Sequence, residues 1–119
     1  MTMPVSADVD EVTRDALSGL SAGDLDVLDG SMQLREQWQQ DCGLDARSFS
    51  LVKIASLVAL DAPPASYLWQ VTNALGAGAT PGEILGVLRA IAPQVGGPKV
   101  VSAAPEIMVA LGLALPDGI

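Results

Sequence analysis

The chain has 119 residues, half of them hydrophobic, and a formal net charge of −8 at pH 7. Its length fits one domain, and its lack of histidine excludes Ser-His and Cys-His nucleophilic pairs and Cys/His zinc sites. Acids concentrate in residues 1–45, which hold ten acids and two bases, whereas residues 46–119 hold four of each. Because such a charge repels phosphate backbones, we expect no nucleic-acid partner.

The apolar segments are interrupted too often to cross a membrane. A spanning helix needs roughly 18–20 apolar residues, and Lys53, Ser56, Pro105 and Glu106 break the longest runs. The first residues are acidic where a signal peptide is basic. We therefore expect a cytoplasmic protein with no membrane partner.

The N-terminal part is predicted to form a tail and two helices. Residues 1–7 contain Pro4 and no periodicity, which predicts a flexible tail before a single domain at residues 8–119. A short acidic helix is predicted over residues 8–20 and a longer one over residues 24–42. The apolar side of the longer helix is formed by Leu25, Leu28, Met32, Leu34 and Trp38.

The single cysteine, Cys42, follows this second helix. It has no partner for an intrachain disulfide, which agrees with a reducing compartment. A reactive thiol needs a basic neighbour to lower its pKa, and none is close in the sequence. We therefore expect a buried cysteine, with a reactive thiol as the alternative.

A third helix is predicted from Asp45, which can cap it, to about Leu60, and a fourth over residues 65–76. The third helix is apolar on nearly all sides, which indicates the centre of a bundle or a subunit interface. Its exception, Lys53, lies three residues after Ser50 on the same side. Lys53 either extends along apolar surface or pairs with an acid of a neighbouring subunit, or it is a buried acid, base or carboxylate anchor.

The fourth helix carries a polar stripe in which Ser66, Gln70 and Asn73 recur at spacings of four and three residues. The stripe is either solvated or lines a ligand pocket. Tyr67 and Trp69 flank it, as pocket walls or as core residues.

Two more helices complete the predicted fold. Thr80 can cap the fifth, with Pro81 at its first position and Glu83 completing a capping box. The sixth is predicted over residues 99–115, and Pro105 should break or kink it. The six helical segments and the lack of alternating apolar and polar runs predict an all-α protein.

The run ALGAGATPGEILGVLRAIAPQVGGP, with SLVKIASLVAL before it and a final helix after it, resembles the carboxymuconolactone decarboxylase family, which includes the alkylhydroperoxidase D proteins. The match covers roughly residues 44–115, most of one domain. It implies a compact bundle of about six helices that assembles as a homotrimer or homohexamer. A mean hydropathy of +0.40 also favours self-association, because apolar surface is then covered by other subunits.

Redox-active members of this family carry Cys-x-x-Cys and a following His on the fourth helix. This chain has Pro63, Ser66 and Gln70 at those positions, and Ser50 where the family has an acid on the preceding helix. The resemblance therefore implies the fold without thiol peroxidase activity.

Two functions fit these observations. The first is a thiol-independent decarboxylase, isomerase or related lyase acting on an apolar carbonyl or carboxylate compound, with Lys53 and Gln70 as catalytic residues and Tyr67 and Glu106 as lesser candidates. The second is a non-catalytic oligomeric binding or scaffold protein. An enclosed pocket containing both Lys53 and Gln70 favours the enzyme. We expect no cofactor, no metal, and a small molecule as the only ligand. The predicted substrate-binding residues are Ser50, Ser66, Tyr67, Trp69 and Asn73.

Overall fold

The structure is a computed structural model that describes residues 7–24 and 26–117. Within these ranges it contains α-helices and no strand, which confirms the predicted all-α fold. None of the helices described there is long and apolar enough to cross a membrane. The tail predicted at residues 1–7 lies outside the described residues, apart from the exposed Ala7. The helices are α1 (Glu11–Ser21), α2 (Asp29–Asp41), α3 (Ala46–Leu60), α4 (Pro64–Gly76), α5 (Pro81–Val95) and α6 (Gly97–Ala110).

Helix α1 begins at Glu11, later than the predicted start at Asp8. Asp10 fixes this start, because its Oδ1 accepts a hydrogen bond from the backbone N–H of Thr13 at 2.7 Å. Its Oδ2 accepts another from the Thr13 hydroxyl at 3.1 Å. The backbone bond from Thr13, more than the hydroxyl bond, lowers the pKa of Asp10 below its usual value.

The second helix is shorter than the predicted span of residues 24–42. The Asp24 carboxylate accepts a hydrogen bond from the N–H of Asp26 at 3.0 Å, a local turn that competes with helix formation. A 3₁₀ turn at Asp26–Leu28 follows, and α2 begins only after it.

The predicted apolar side of α2 is exposed wherever the structure describes it. Leu28, Leu34 and Trp38 are all exposed, and the Trp38 side chain retains 60% of its accessible surface. Leu25 and the side chain of Met32 lie outside what the structure describes. Helix α1 likewise contributes no buried residue. The two N-terminal helices are therefore peripheral to the core of this chain.

Helices α3 to α6 form the hydrophobic core. Helix α3 packs against α4 and α5, and α4 also packs against α6. The predicted cap of α3 is confirmed, because Asp45 Oδ1 accepts a hydrogen bond from the N–H of Ser48 at 2.7 Å. The largest completely buried side chains are Ile54, Val58, Tyr67, Val71 and Ile84.

Helix α5 opens with the predicted capping box of Thr80 and Glu83. For helix α6 the sequence predicts a break or a kink at Pro105, and the helix does not break there, because it includes this residue. Ala103 and Ile107 lie on either side of the proline in the chain and are both buried in the core. Their packing offsets the hydrogen bond that a proline removes from a helix.

Helix α6 ends at Ala110, well before the predicted end at residue 115. Gly112 adopts a left-handed conformation with φ of +78°, which residues with a side chain rarely adopt. This turn lets the N–H of Leu113 donate to the carbonyl oxygen of Met108 at 2.9 Å, in the pattern that closes helices at a glycine.

Two contacts hold α6 against the junction of α3 and α4. Lys99 Nζ donates to the carbonyl oxygen of Ala59 in the last turn of α3, at 3.1 Å. Ser102 Oγ donates to Asp61 Oδ1 at 3.5 Å. Asp61 caps α3 in a left-handed conformation, with φ of +55°. These contacts help to fix the direction in which α4 begins.

The chain is less compact than its length alone predicts. Its radius of gyration is 16.8 Å, whereas a compact domain of this length has a radius of about 13.5 Å. Helices α1 and α2, which lie outside the core, contribute to this difference.

Candidate functional site

A cleft of about 410 Å³ lies beside the first half of α4. Its lining includes Ser66 and Gln70 of the predicted polar stripe, together with Trp69. Its volume falls within the roughly 300–1,000 Å³ typical of small-molecule sites. The cleft is mainly apolar, and its other lining residues are Leu20, Ser21, Gly23, Leu57, Pro63 and Ala65.

Gln70 is the most deeply buried polar residue of this cleft, with 8% of its surface exposed. Its Oε1 atom is buried and has no hydrogen-bond partner among the described residues. Leaving such an acceptor unsatisfied costs about 1–3 kcal/mol. A hydrogen-bond donor that enters the cleft can recover part of this free energy.

Ser21 brings a second acceptor from the end of α1. Its Oγ donates a hydrogen bond to the carbonyl oxygen of Ser18 at 2.8 Å. Because a hydroxyl has one proton and two lone pairs, the Ser21 oxygen can still accept a bond from a ligand. The hydroxyl proton of Ser21 is therefore used within α1, and the hydroxyl oxygen can still accept a hydrogen bond.

The positions that resemble the redox motif of the family converge on this cleft. Pro63, Ser66 and Gln70 stand where the two cysteines and the histidine of redox-active members are expected, and all three line it. The backbone N–H of Ser66 also donates to the carbonyl oxygen of Pro63 at 3.1 Å. The cleft thus occupies the place where the resemblance puts the chemistry.

Two other predicted substrate-binding residues line a different cleft. Ser50, which is 4% exposed, and Asn73 lie in a more open depression of about 360 Å³ between α2, α3 and α4. A small cavity of about 130 Å³ shares Trp69 with the first cleft and Thr72 with the second. The polar stripe is therefore divided between two sites along one helix.

Lys53 is not among the residues that line these clefts. Its Nζ lies 5.0 Å from the centroid of the Phe49 ring, one turn earlier on α3, within cation–π distance. The structure therefore does not bring Lys53 and Gln70 into one of these clefts, and the catalytic role of Lys53 stays a prediction.

Tyr67, predicted to border the ligand, belongs to the core and is 2% exposed. Burial raises the pKa of its hydroxyl above the usual value, and the negative charges of Asp61 and Glu106 raise it further. Tyr67 thus lies in a region that disfavours its ionised form, on the buried side of α4.

Cys42 is exposed, so the expectation of a buried cysteine is wrong. It is the C-cap of α2, a helix outside the core, and this position leaves it accessible. Its Sγ donates to the carbonyl oxygen of Gln39 at 3.2 Å. Within the described part of the chain, no group of three or more His, Cys, Asp or Glu residues is placed to hold a metal ion.

Several residues of the first cleft were not predicted from the sequence. Leu20, Ser21 and Gly23 come from the end of α1 and the turn after it, and Leu57 comes from α3. The apolar periodicity of α3 predicts that Leu57 packs against another element, but it does not predict that Leu57 lines a cleft. No sequence pattern links the end of α1 to α4, because tertiary packing alone brings these segments together.

The fold and the cleft together define the class of this protein, which is an all-α bundle with an apolar cleft along its fourth helix. A family model described as the carboxymuconolactone decarboxylase family matches residues 26–107. Because this match covers more than half of the chain, the protein belongs to the carboxymuconolactone decarboxylase family, as the sequence resemblance indicates. Searches of curated proteins and of solved structures gave no match.

Proposed function

We propose that this member of the carboxymuconolactone decarboxylase family binds a small, largely apolar molecule in the cleft beside α4. The observation that carries this proposal is the buried Oε1 of Gln70, which has no partner among the described residues of the chain. An unsatisfied acceptor is unfavourable in a folded protein unless another group completes its hydrogen bond. A ligand in the cleft of about 410 Å³ supplies that group.

The chemical groups around the cleft support binding over turnover. Its described lining provides hydroxyl, amide, indole and aliphatic groups, none of which is an acid or base that titrates near neutral pH. Lys53, the predicted acid or base, lies over the Phe49 ring. We therefore favour the binding function over the decarboxylase, isomerase or lyase function that the sequence also allows.

We also infer that the chain assembles with copies of itself, as a homotrimer or homohexamer. The single chain exposes 8032 Å², whereas a compact 12.2 kDa protein exposes about 6,100 Å². The chain therefore exposes more surface than a compact protein of its mass, and copies of the chain can cover part of this excess, because each partner of a standard interface buries about 800 Å². Large apolar side chains are exposed on several helices, as at Val12, Leu34, Trp38, Val52, Leu60, Leu68, Leu85, Val101 and Val109.

Ligand binding can be tested with the two tryptophans of the chain. In a Trp38→Phe variant, Trp69 in the cleft is the remaining indole, so its fluorescence reports occupancy. We expect 4-tert-butylphenol, a compact apolar probe with one hydroxyl, to change this fluorescence in a saturable way.

A blocking variant gives the matched control. Ala65 lines the cleft, and Ala65→Phe should fill part of it and abolish the saturable signal. Ala90 is exposed on α5 and is not among the lining residues, so Ala90→Phe should leave the signal intact. A saturable fluorescence change that persists in Ala65→Phe contradicts the proposal. So does the lack of such a change in the Trp38→Phe protein without further substitutions. Conversion of a bound compound to product would support the enzyme instead.

A further inference from the structure

The polar atoms of the α4 cleft favour ligands that donate hydrogen bonds. Gln70 contributes a buried Oε1 without a partner among the described residues, and Ser21 contributes an oxygen whose proton is bonded to Ser18. The residues that carry these two acceptors belong to different helices and line the same cleft. A ligand with one hydroxyl or N–H group can donate to either of these acceptors, whereas a ligand with acceptors alone can bond to neither.

The charge distribution disfavours an anionic ligand. The chain has a net charge of −8, and no lysine or arginine is among the described residues lining the cleft. Arg47 pairs with Glu83, Lys53 lies over Phe49, and Lys99 bonds a backbone carbonyl. A carboxylate in the cleft would lose water without gaining a counter-charge from its lining.

We propose that the cleft selects an uncharged ligand with an apolar body and a hydroxyl or N–H donor, such as a phenol or an alcohol. Binding then requires the Gln70 side chain to turn its buried Oε1 towards the donor, with Leu57 and Trp69 as the apolar lining available to the rest of the ligand. This inference rests on the proposed binding function and specifies the ligand class. It differs from the carbonyl or carboxylate compound expected from the sequence, because the charge of Lys53 is not part of the lining of this cleft.

Three probes of nearly the same shape test the inference. These are 4-tert-butylphenol, which donates a hydrogen bond, 4-tert-butylanisole, which only accepts, and 4-tert-butylbenzoate, which is anionic at pH 7. In the Trp38→Phe protein we expect the phenol to bind at least tenfold more tightly than either of the others. A tenfold change in Kd corresponds to about 1.4 kcal/mol, which is within the range for one hydrogen bond to a buried acceptor.

A matched pair of variants assigns the preference to Gln70. Gln70→Leu keeps a side chain of similar size and removes the buried acceptor but leaves Ser21 in place, so the preference for the phenol over the anisole should fall well below tenfold. Gln94→Leu makes the same change at an exposed position on α5 and should keep the tenfold preference.

A measurement on the unmutated chain covers the case in which Gln70→Leu does not fold. Binding of 4-nitrophenol, followed by equilibrium dialysis, should weaken at least tenfold once the pH is well above the pKa of the probe, because the phenolate has lost its donor. Unchanged binding across that range would overturn the proposed selectivity.

The outcomes separate this inference from the binding function. If phenol and anisole bind equally and Ala65→Phe abolishes both signals, the cleft binds ligands but does not select donors. If the benzoate binds most tightly, the Gln70 amide presents its N–H groups, and the inference is wrong. If none of the probes gives a saturable signal, the binding function fails and this inference fails with it.

Discussion

Thr80 and Glu83 hold the first turn of α5 through two reciprocal hydrogen bonds. The N–H of Glu83 donates to Thr80 Oγ1 at 3.1 Å, and the N–H of Thr80 donates to Glu83 Oε1 at 3.0 Å. The Oε2 of the same carboxylate pairs with Arg47 on α3. One side chain therefore both caps α5 and connects it to the neighbouring helix.

We predict that Thr80→Ala lowers the free energy of unfolding by about 1 kcal/mol, the usual effect of losing such a cap. Thr72→Ala is the control, because the Thr72 hydroxyl bonds the Leu68 carbonyl within α4 and caps no helix end. Its effect should stay within about 0.5 kcal/mol. Urea unfolding at a fixed protein concentration measures both changes. Equal losses in the two variants would contradict the role of the capping box.

Gln70→Leu should stabilise the unliganded protein by about 1–2 kcal/mol, because it removes a buried acceptor that lacks a partner among the described residues. Gln94→Leu, at an exposed position, should change the free energy of unfolding by less than about 0.5 kcal/mol. Thermal unfolding without ligand distinguishes the two variants. A lower melting temperature for Gln70→Leu would mean that the amide is already satisfied in the folded protein.

Tyr67, the one tyrosine of the chain, should ionise above the ordinary tyrosine pKa of about 10. Because the folded state holds this proton more tightly than the unfolded state, its contribution to stability is complete below about pH 10 and is lost as pH rises towards the folded pKa. Absorbance at 295 nm follows the ionisation.

The neighbours of Tyr67 have a smaller effect than its burial. Asp61→Asn and Glu106→Gln should each lower the pKa of Tyr67, while burial keeps it above the ordinary value. A pKa at or below the ordinary value in the unmutated protein would show that the hydroxyl is more solvated than the structure indicates.

The chain should behave in solution as an oligomer with three or six times its mass of 12.2 kDa. Static light scattering at micromolar concentration measures this mass. Trp38→Glu places a charge on the exposed side of α2 and should favour smaller species, whereas Glu36→Gln on the same helix should not. A stable monomer in the unmutated protein would refute the assembly that we propose.

Turnover of hydroperoxides with a dithiol reductant should be absent. The chain has one cysteine, and the cleft carries Pro63 and Ser66 where redox-active relatives have a cysteine pair. A thiol cycle within one chain needs a second cysteine to resolve the oxidised form. Consumption of tert-butyl hydroperoxide should be equal in the unmutated protein and in Cys42→Ser. Activity that disappears in Cys42→Ser would assign a redox function to the exposed thiol.

Local signals in the sequence predicted the parts of the fold that local interactions decide. Asp45, Thr80 and Glu83 cap helices through bonds to residues a turn away, so their spacing is sufficient to place helix starts. The end of α6 at Gly112 follows from equally local chemistry.

Packing decided the features that the sequence did not predict. The apolar spacing of Leu34 and Trp38 indicates a buried face, but their burial depends on a surface that this chain does not provide. The stripe of Gln70 and Asn73 was predicted on α4, yet the division between two clefts depends on where α1 and α2 lie. Gln70 Oε1 has no partner among the described residues because of how the helices pack around it, and the spacing of residues in the sequence does not predict that packing.

The core of this protein is built by α3 to α6, and the ribosome makes α6 after the other three. Helices α1 and α2 emerge first, with no buried residue in α1 to hold them to one another. The core around Tyr67 and Val71 is complete only when Ala103 and Ile107 of α6 have been added to it. We expect the nascent chain to complete its core only after α6 has left the exit tunnel, so that the apolar surface of α3 to α5 stays exposed until then.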